Sequence, residues 1–204
     1  MSKSRPMRNS PQQTRSHLKY NQILNAAAEV FEKTGYENAS TEMIAKRART
    51  SIGSLYRFFP DKAAIACSLA EKYAEQMEKM FESILESFTI DTSIKQIVSE
   101  TIDSFDSFYN NQPGCRVIML QSLVSNEIKS VNDKVDDKIA IKLKTFFKLK
   151  NPNLELSRCK ISALICIEIA NTLQFWSLKE SHEYKQQIVE ETKQVLISYL
   201  KTLF

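Results

Sequence analysis

Apolar residues recur along most of the chain at alternating steps of three and four positions, the spacing that lines one face of an α-helix. The longest regular stripe follows Asp61 and runs through Ile65, Leu69, Tyr73, Met77, Phe81, Ile84 and Phe88. Only 3 glycines and 5 prolines occur in 204 residues, too few for the turns of a hairpin-rich β fold. The pattern predicts an all-α protein of about nine helices.

The N-terminal part of the pattern predicts three short elements before the long helix. A first helix over about 17–34 ends at Gly35, which suits a helix C-terminus. Ser40 and Thr41 can cap a short second helix, and a third covers about 52–58. A helix–turn–helix unit over 40–59 is therefore expected, within a small domain over 17–75.

The pattern beyond residue 75 predicts a larger helical domain over 76–204. Its further helices begin at Asp91, follow the break at Pro113–Gly114, and cover about 126–149, 157–179 and 183–203. The penultimate helix is apolar around nearly its whole circumference, and the last one carries two apolar stripes, so both need several packing partners. We expect a second copy of the chain to be one of them, through Ile167, Val189, Leu196, Leu200 and Leu203.

The charged side chains at the N-terminus are all basic. The net charge of +4 is too modest to establish nucleic-acid binding. The first nineteen residues nevertheless carry five basic side chains and no acidic one, and we predict a mobile basic arm over 1–16. Such an arm either lies against phosphates or acts as a solubilising tail.

Other composition features narrow the function classes. No apolar run is long enough to span a bilayer and no signal-peptide core is present, which favours a cytoplasmic protein. The four cysteines lack metal-site spacing and are expected to be buried thiols. Two histidines, His17 and His182, cannot build a catalytic triad or an HExxH site, so we expect neither an enzyme nor a metal or cofactor. A helical protein-interaction module remains the alternative.

Several spaced runs resemble one family. They are Ile23-Leu24-Asn25-Ala26-Ala27-Ala28-Glu29-Val30-Phe31-Glu32-Lys33-Thr34-Gly35-Tyr36, then Ser40-Thr41, Ile44-Ala45, Ile52-Gly53-Ser54-Leu55-Tyr56-Arg57-Phe58-Phe59 and Asp61-Lys62. At this spacing, over about 17–70, the chain resembles the TetR (tetracycline-repressor-like) family. The resemblance implies a dimeric regulator that binds double-stranded operator DNA and responds to a ligand.

The chemistry of the matching residues suits DNA. Gly53 lets the backbone of the third helix approach DNA, Ser51 and Ser54 place hydroxyls at the end that enters a major groove, and Tyr56 can donate to a phosphate. Lys62 adds charge at the start of a helix. The expected DNA-binding set is Ser40, Thr41, Arg49, Thr50, Ser51, Gly53, Ser54, Tyr56, Arg57 and Lys62.

One position departs from the family pattern. The turn of the helix–turn–helix usually contains glycine, where this chain has Arg49, followed by Thr50 instead of an aliphatic residue. A left-handed backbone at a non-glycine residue costs on the order of 1–2 kcal/mol. Either the turn differs, or Arg49 accepts the strain and places a cation near the DNA backbone.

The resemblance also implies that the second domain binds an effector. We expect a mostly apolar small molecule in a cavity lined by Phe105, Tyr109, Met119, Phe147, Glu168 and Trp176. Glu168 is the expected polar contact, because a carboxylate on an all-round apolar helix needs a partner or an exit to water. The alternative is that the aromatic residues are ordinary core.

Overall fold

The computed structural model describes the backbone of residues 11–204, and the side chains from residue 15 onward except that of His182. Within these residues the chain forms helices and no strand, so the predicted all-α fold is confirmed. The nine described helices are α1 (Pro11–Asn38), α2 (Thr41–Arg47), α3 (Ile52–Tyr56), α4 (Lys62–Ser87), α5 (Ile94–Asn111), α6 (Cys115–Gln121), α7 (Asn126–Lys150), α8 (Leu156–Ser177) and α9 (His182–Leu200).

Side-chain caps determine where most of these helices begin. Ser40 and Asp61 accept backbone N–H groups from Met43 and Ala64, as the sequence predicts. The fifth helix begins later than expected, because Ser93 provides its cap by accepting from the backbone N–H of Gln96 at 3.2 Å.

The first helix begins earlier than its apolar stripe does. α1 starts at Pro11, so the last residues of the predicted 1–16 arm belong to a helix, and the rest of that arm lies outside the described residues. Gly35 has φ of 75° and ψ of 166°, and it bends the chain near the end of α1, where the sequence predicts a stop.

The buried core of the small domain continues into the large one. Phe31, Leu55 and Phe59 are buried among α1 to α4, and the same cluster includes Tyr109 and Met119 from α5 and α6. The boundary predicted at residue 75 falls inside α4, which therefore belongs to both parts. Because the two parts share one cluster of packed side chains, a movement of these side chains in one part also displaces those in the other.

In the large part, α8 packs against both α7 and α9, and α9 also lies against α5. All four cysteines are free thiols, and burial raises the pKa of Cys115 and Cys166 to about 12. None of the helices in the described region combines the length and the apolar character needed to cross a membrane.

The residues predicted to pair two chains require a correction. Val189, Leu196, Leu200 and Leu203 are buried inside one protomer, in a cluster with Phe147 and residues of α5 and α8. Ile167 lines an interior cavity. The apolar stripe of α9 that the sequence predicts to contact a partner is therefore the stripe that packs into the core of its own protomer. When one helix carries two apolar stripes, the sequence alone does not indicate which of them faces inward.

Candidate nucleic-acid interface and interior cavity

The third helix is anchored by its apolar side and leaves the opposite side open. Leu55 is fully buried, whereas Ile52, Gly53 and Arg57 are exposed. The Ser51 hydroxyl oxygen accepts from the backbone N–H of Ser54 at 3.1 Å, which fixes the start of the helix. A Cβ placed on Gly53 would meet no atom within 4 Å, so nothing in the fold requires glycine there. The open space suits close approach by a partner.

Tyr56 lies where the second and third helices contact each other. Its hydroxyl is 3.0 Å from Thr41 Oγ1, and the residue is 47% exposed. Thr41 itself is buried, so the phenol is held from one side and open to solvent on the other. The Tyr56 hydroxyl is therefore held in place by Thr41 and stays accessible to an external partner.

The turn between these helices has the left-handed geometry that usually requires glycine. Arg49 has φ of 47°, the one positive φ at a non-glycine residue in the described part of the chain. The backbone N–H of Thr50 donates to the carbonyl of Ala45 at 3.0 Å, and Gln22 Nε2 donates to the carbonyl of Ala48 at 2.8 Å. These bonds hold the turn against the strain, and the Arg49 side chain is exposed.

Lys62 has a structural role that the sequence did not predict. Its ammonium donates to the carbonyls of Tyr36 and Glu37 at 2.7 and 3.1 Å and lies 4.4 Å from the centre of the Tyr36 ring. It therefore satisfies carbonyls at the end of α1. The phosphate contact of Lys62 stays a prediction, and it would compete with these bonds.

Two charged features near this surface were missed from the sequence. Glu42 lies in the first turn of α2, where hydrogen bonds from its own backbone N–H and from Ser40 lower the pKa of its carboxyl. Arg47 forms an ion pair with Glu29 of α1. The carboxylate of Glu42 lies beside Thr41, which is an expected phosphate contact, and it repels phosphate locally. The basic side chains of the expected DNA-binding set would have to outweigh this repulsion.

The large domain encloses a cavity of about 110 Å³ among α4 to α9. Phe105, Tyr109, Met119 and Phe147, four of the residues expected to line a pocket, do line it. The remaining wall is mostly aliphatic and aromatic, and it includes Leu196 and Leu200 of α9. The cavity suits a mostly apolar occupant.

Glu168 and Trp176 do not line this cavity, which corrects the sequence prediction. Glu168 is exposed, and Trp176 is 46% exposed, with its indole N–H donating to Glu180 at 3.1 Å and its ring edge-on to Tyr184. Both residues lie on the outward side of α8. A helix with apolar residues all round gives no sequence signal for which side faces the interior.

Most of the polar part of the cavity wall comes instead from two facing helices, and Thr101 of α5 adds a hydroxyl. Asn132 and Asp136 project from α7, and Asn171 and Gln174 from α8. Asn171 Nδ2 donates to Asp136 Oδ2 at 2.8 Å. Asn132 Oδ1 and Gln174 Nε2 are buried without a hydrogen-bond partner, although such atoms are normally satisfied. The sequence places these residues among other polar positions, so it did not single them out.

Burial dominates the electrostatics at this end of the cavity. It raises the pKa of Asp136 to about 7, against the lowering effect of the Asn171 hydrogen bond. The charges that act on Asp136 come from Asp133, Glu168 and Asp137, and all of them raise its pKa further. The polar end is therefore unfavourable for an anion.

An N-terminal helix–turn–helix with an open third helix, joined to a helical domain with an apolar cavity, defines the class of helical DNA-binding regulators. The family model described as "Bacterial regulatory proteins, tetR family" matches residues 23–68, and "Tetracyclin repressor-like, C-terminal domain" matches residues 93–200. The chain belongs to the TetR family of bacterial regulatory proteins, which confirms the resemblance seen in the sequence.

Individual proteins are similar to parts or to most of this chain. The fatty acid metabolism regulator protein of Bacillus subtilis is 36% identical over 83 residues, which cover 40% of this chain and 43% of that protein. The matched segment thus spans less than half of that relative. A TetR-family regulator from Streptomyces coelicolor superposes with a TM-score of 0.67 at 24% identity, covering 91% of this chain and 99% of the other.

A second solved structure is similar in fold and holds a ligand. FadR of Bacillus subtilis, in complex with stearoyl-CoA, has a TM-score of 0.62 at 19% identity, covering 88% of this chain and 98% of the other. At this identity the likeness shows the fold alone.

Proposed function

We propose that the protein is a ligand-responsive repressor that acts in the cytoplasm and binds a palindromic operator as a homodimer. The observation that carries the DNA-binding part is the exposed face of α3, where Gly53 leaves space for close approach and Tyr56 is held by Thr41. One α3 of each protomer would enter a major groove, with Tyr56 and Arg49 at flanking phosphates.

The experiment is a gel-shift and footprint on the DNA upstream of the protein's own gene, over a range of salt concentrations. Affinity should fall steeply as salt rises, because phosphate contacts release counterions. Tyr56→Phe should weaken binding to every sequence by about tenfold to a hundredfold, because a hydrogen bond to a charged group contributes about 1.5–3 kcal/mol. Tyr184→Phe is the matched control, because Tyr184 is 45% exposed but lies on α9.

The absence of a footprint on any candidate operator would reject the repressor. An affinity independent of salt would reject phosphate binding. If the folded protein retains a partner protein in place of DNA, the helical interaction module is the correct function.

The dimer part of the proposal rests on the outward face of α8 and α9. Three apolar side chains of this face are exposed to solvent, those of Ile161, Leu164 (41% exposed) and Val195. Burying each of them against a partner would be favourable because it removes apolar surface from water. An apolar face on two long neighbouring helices suits a four-helix interface with a second copy.

Leu164→Asp combined with Val195→Asp should convert the dimer to monomers and weaken operator binding in parallel. Ile141→Asp is the control, because Ile141 is a still more exposed apolar residue on α7. Sedimentation at micromolar concentration distinguishes the two outcomes. A monomeric wild-type protein would contradict the proposal.

The effector part rests on residues shared by the cavity and the small domain. Met77, Tyr109 and Met119 line the cavity and also belong to the core cluster that packs under the helix–turn–helix. An occupant that moves these side chains has different affinities for the two arrangements of the domains, which is the requirement for a ligand to shift operator binding.

A further inference from the structure

The hydrogen-bonding groups of the cavity specify what kind of molecule it accepts, if the proposed function holds. α7 and α8 are consecutive and joined by a short connection, so they pack antiparallel. The Asp136–Asn171 hydrogen bond sets their register. One turn back along α7 and nearly one turn forward along α8, Asn132 and Gln174 therefore lie at the same level.

These two side chains leave one acceptor and one donor unused. Asn132 Oδ1 needs a donor, and Gln174 Nε2 needs an acceptor. Gln174 is 5% exposed, so bulk water does not satisfy it. Leaving such a buried group unpaired is unfavourable, and an occupant that pairs both groups removes that penalty.

The charges around the polar end of the cavity determine whether a neutral, an anionic or a cationic group of the occupant is favoured there. Asp136 offers carboxylate oxygen to a donor, and the neighbouring acidic groups Asp133, Asp137 and Glu168 add negative potential. A carboxylate occupant would face these charges and could not donate to Asn132. An ammonium group would donate to Asn132 and Asp136 but could not accept from Gln174, which would stay unpaired.

We propose that the effector is a small, mostly apolar molecule with an uncharged end that both donates and accepts hydrogen bonds, such as a short aliphatic primary amide or alcohol, and that carboxylates of the same length are excluded. Its N–H or O–H donates to Asn132 Oδ1 or Asp136, and its oxygen accepts from Gln174 Nε2. Its chain lies among the apolar side chains of α4, α5 and α9 that line the rest of the cavity.

The test is calorimetric titration of the full chain, without DNA, with four five-carbon probes whose size matches the cavity: pentanamide, 1-pentanol, pentanoate and pentylamine. At about pH 8 pentanoate is an anion and pentylamine a cation, whereas the other two are neutral. Pentanamide and 1-pentanol should bind at least about tenfold more tightly than either charged probe, a difference of about 1.4 kcal/mol. Pentanoate or pentylamine binding as tightly as pentanamide would overturn the proposal, and so would a failure of all four to bind.

Three variants attribute the preference to these residues. Gln174→Glu replaces the free donor by an acceptor and should reduce pentanamide affinity by about tenfold. Asp136→Asn removes the nearest negative charge and should narrow the preference for pentanamide over pentanoate. Asp133→Asn is the control on the same helix, because Asp133 is exposed and lies outside the cavity wall. An equal effect of the two aspartate substitutions would contradict a role for Asp136.

The operator gel-shift separates this inference from the proposed function. Failure of the neutral probes to bind preferentially, with operator binding intact, rejects only the effector class. Failure to bind any operator rejects the repressor, whatever the calorimetry shows.

Discussion

Gly114 and Glu32 join the two halves of the protein, although 82 positions separate them. The backbone N–H of Gly114 donates to Glu32 Oε2 at 2.7 Å. Gly114 has φ of 71°, and a Cβ there would lie 2.6 Å from the carbonyl oxygen of Ala28. Tyr73 also donates to the carbonyl of Pro113. The start of α6 is thus fixed to α1, and α6 carries Met119 into the cavity wall, which connects the cavity with the helix that supports the DNA-binding unit.

Gly114→Ala should loosen this junction. The added methyl group meets the Ala28 backbone and imposes left-handed strain, so we expect a loss of roughly 2–3 kcal/mol in the free energy of unfolding. Chemical denaturation measures it. Gly35→Ala is the control: its φ is also positive, at 75°, but a Cβ there meets nothing within 4 Å. Equal losses in both variants would show that contact with α1 contributes nothing.

Gly53→Ala should separate folding from DNA binding. The new methyl group has free space in the protein, and alanine is favoured over glycine in a helix, so stability should stay equal or rise by up to about 1 kcal/mol. Operator affinity should nevertheless fall by tenfold or more, because the methyl group would occupy the space left for DNA. Thermal melts and gel-shifts check the two parts. Undiminished affinity would mean that the backbone of α3 does not approach DNA at Gly53.

The buried Asp136 predicts a specific dependence of stability on pH. Its pKa is raised to about 7 in the folded protein, so between about pH 4 and pH 7 the folded state holds more protons than the unfolded state. The contribution of Asp136 is therefore fully present below about pH 4 and is lost as pH rises through about 7.

Asp136→Asn removes this titration. At about pH 8 the variant should be more stable than wild type by roughly 1–3 kcal/mol, less than the full shift implies because water reaches part of the carboxylate. At about pH 4 the two proteins should be nearly equal. Denaturant titrations at both pH values measure the difference. Asp133→Asn should show no comparable gain, and a gain that is the same at both pH values would contradict the assignment to Asp136.

The parts of this fold that the sequence predicts are those set by local rules. The Ser40 and Asp61 caps and the stripe of α4 each depend on a few neighbouring residues. The left-handed turn at Arg49 is one of the two alternatives that the sequence leaves open, and the structure decides between them. Which sides of α8 and α9 face the interior depends on the helices that cover them. For that reason the prediction that Glu168 and Trp176 line the cavity is wrong, and so is the prediction that Leu196 contacts a second chain. The placement of Asn132 and Gln174 at the same level of the cavity depends on the register between two helices, which no single stretch of sequence contains.

The exposed Arg49 allows stability and DNA binding to be changed in opposite directions. Its φ of 47° lies where glycine is favoured, so Arg49→Gly should relieve strain. The gain in the free energy of unfolding should be about 1 kcal/mol or less, because glycine also gives the unfolded chain more freedom. If the guanidinium lies near a phosphate, the same substitution should weaken operator binding and reduce the salt slope by about one unit.

Arg49→Ala isolates the charge from the backbone, because alanine lacks the guanidinium but keeps the left-handed strain. It should therefore match Arg49→Gly in the salt slope and wild type in the melt. Thermal melts and salt-dependent operator titrations on the three proteins provide both readings. A glycine variant that melts below wild type would show that the hydrogen bonds around Ala45 and Ala48 depend on the Arg49 side chain. A salt slope that stays the same in both variants would place Arg49 away from the DNA backbone.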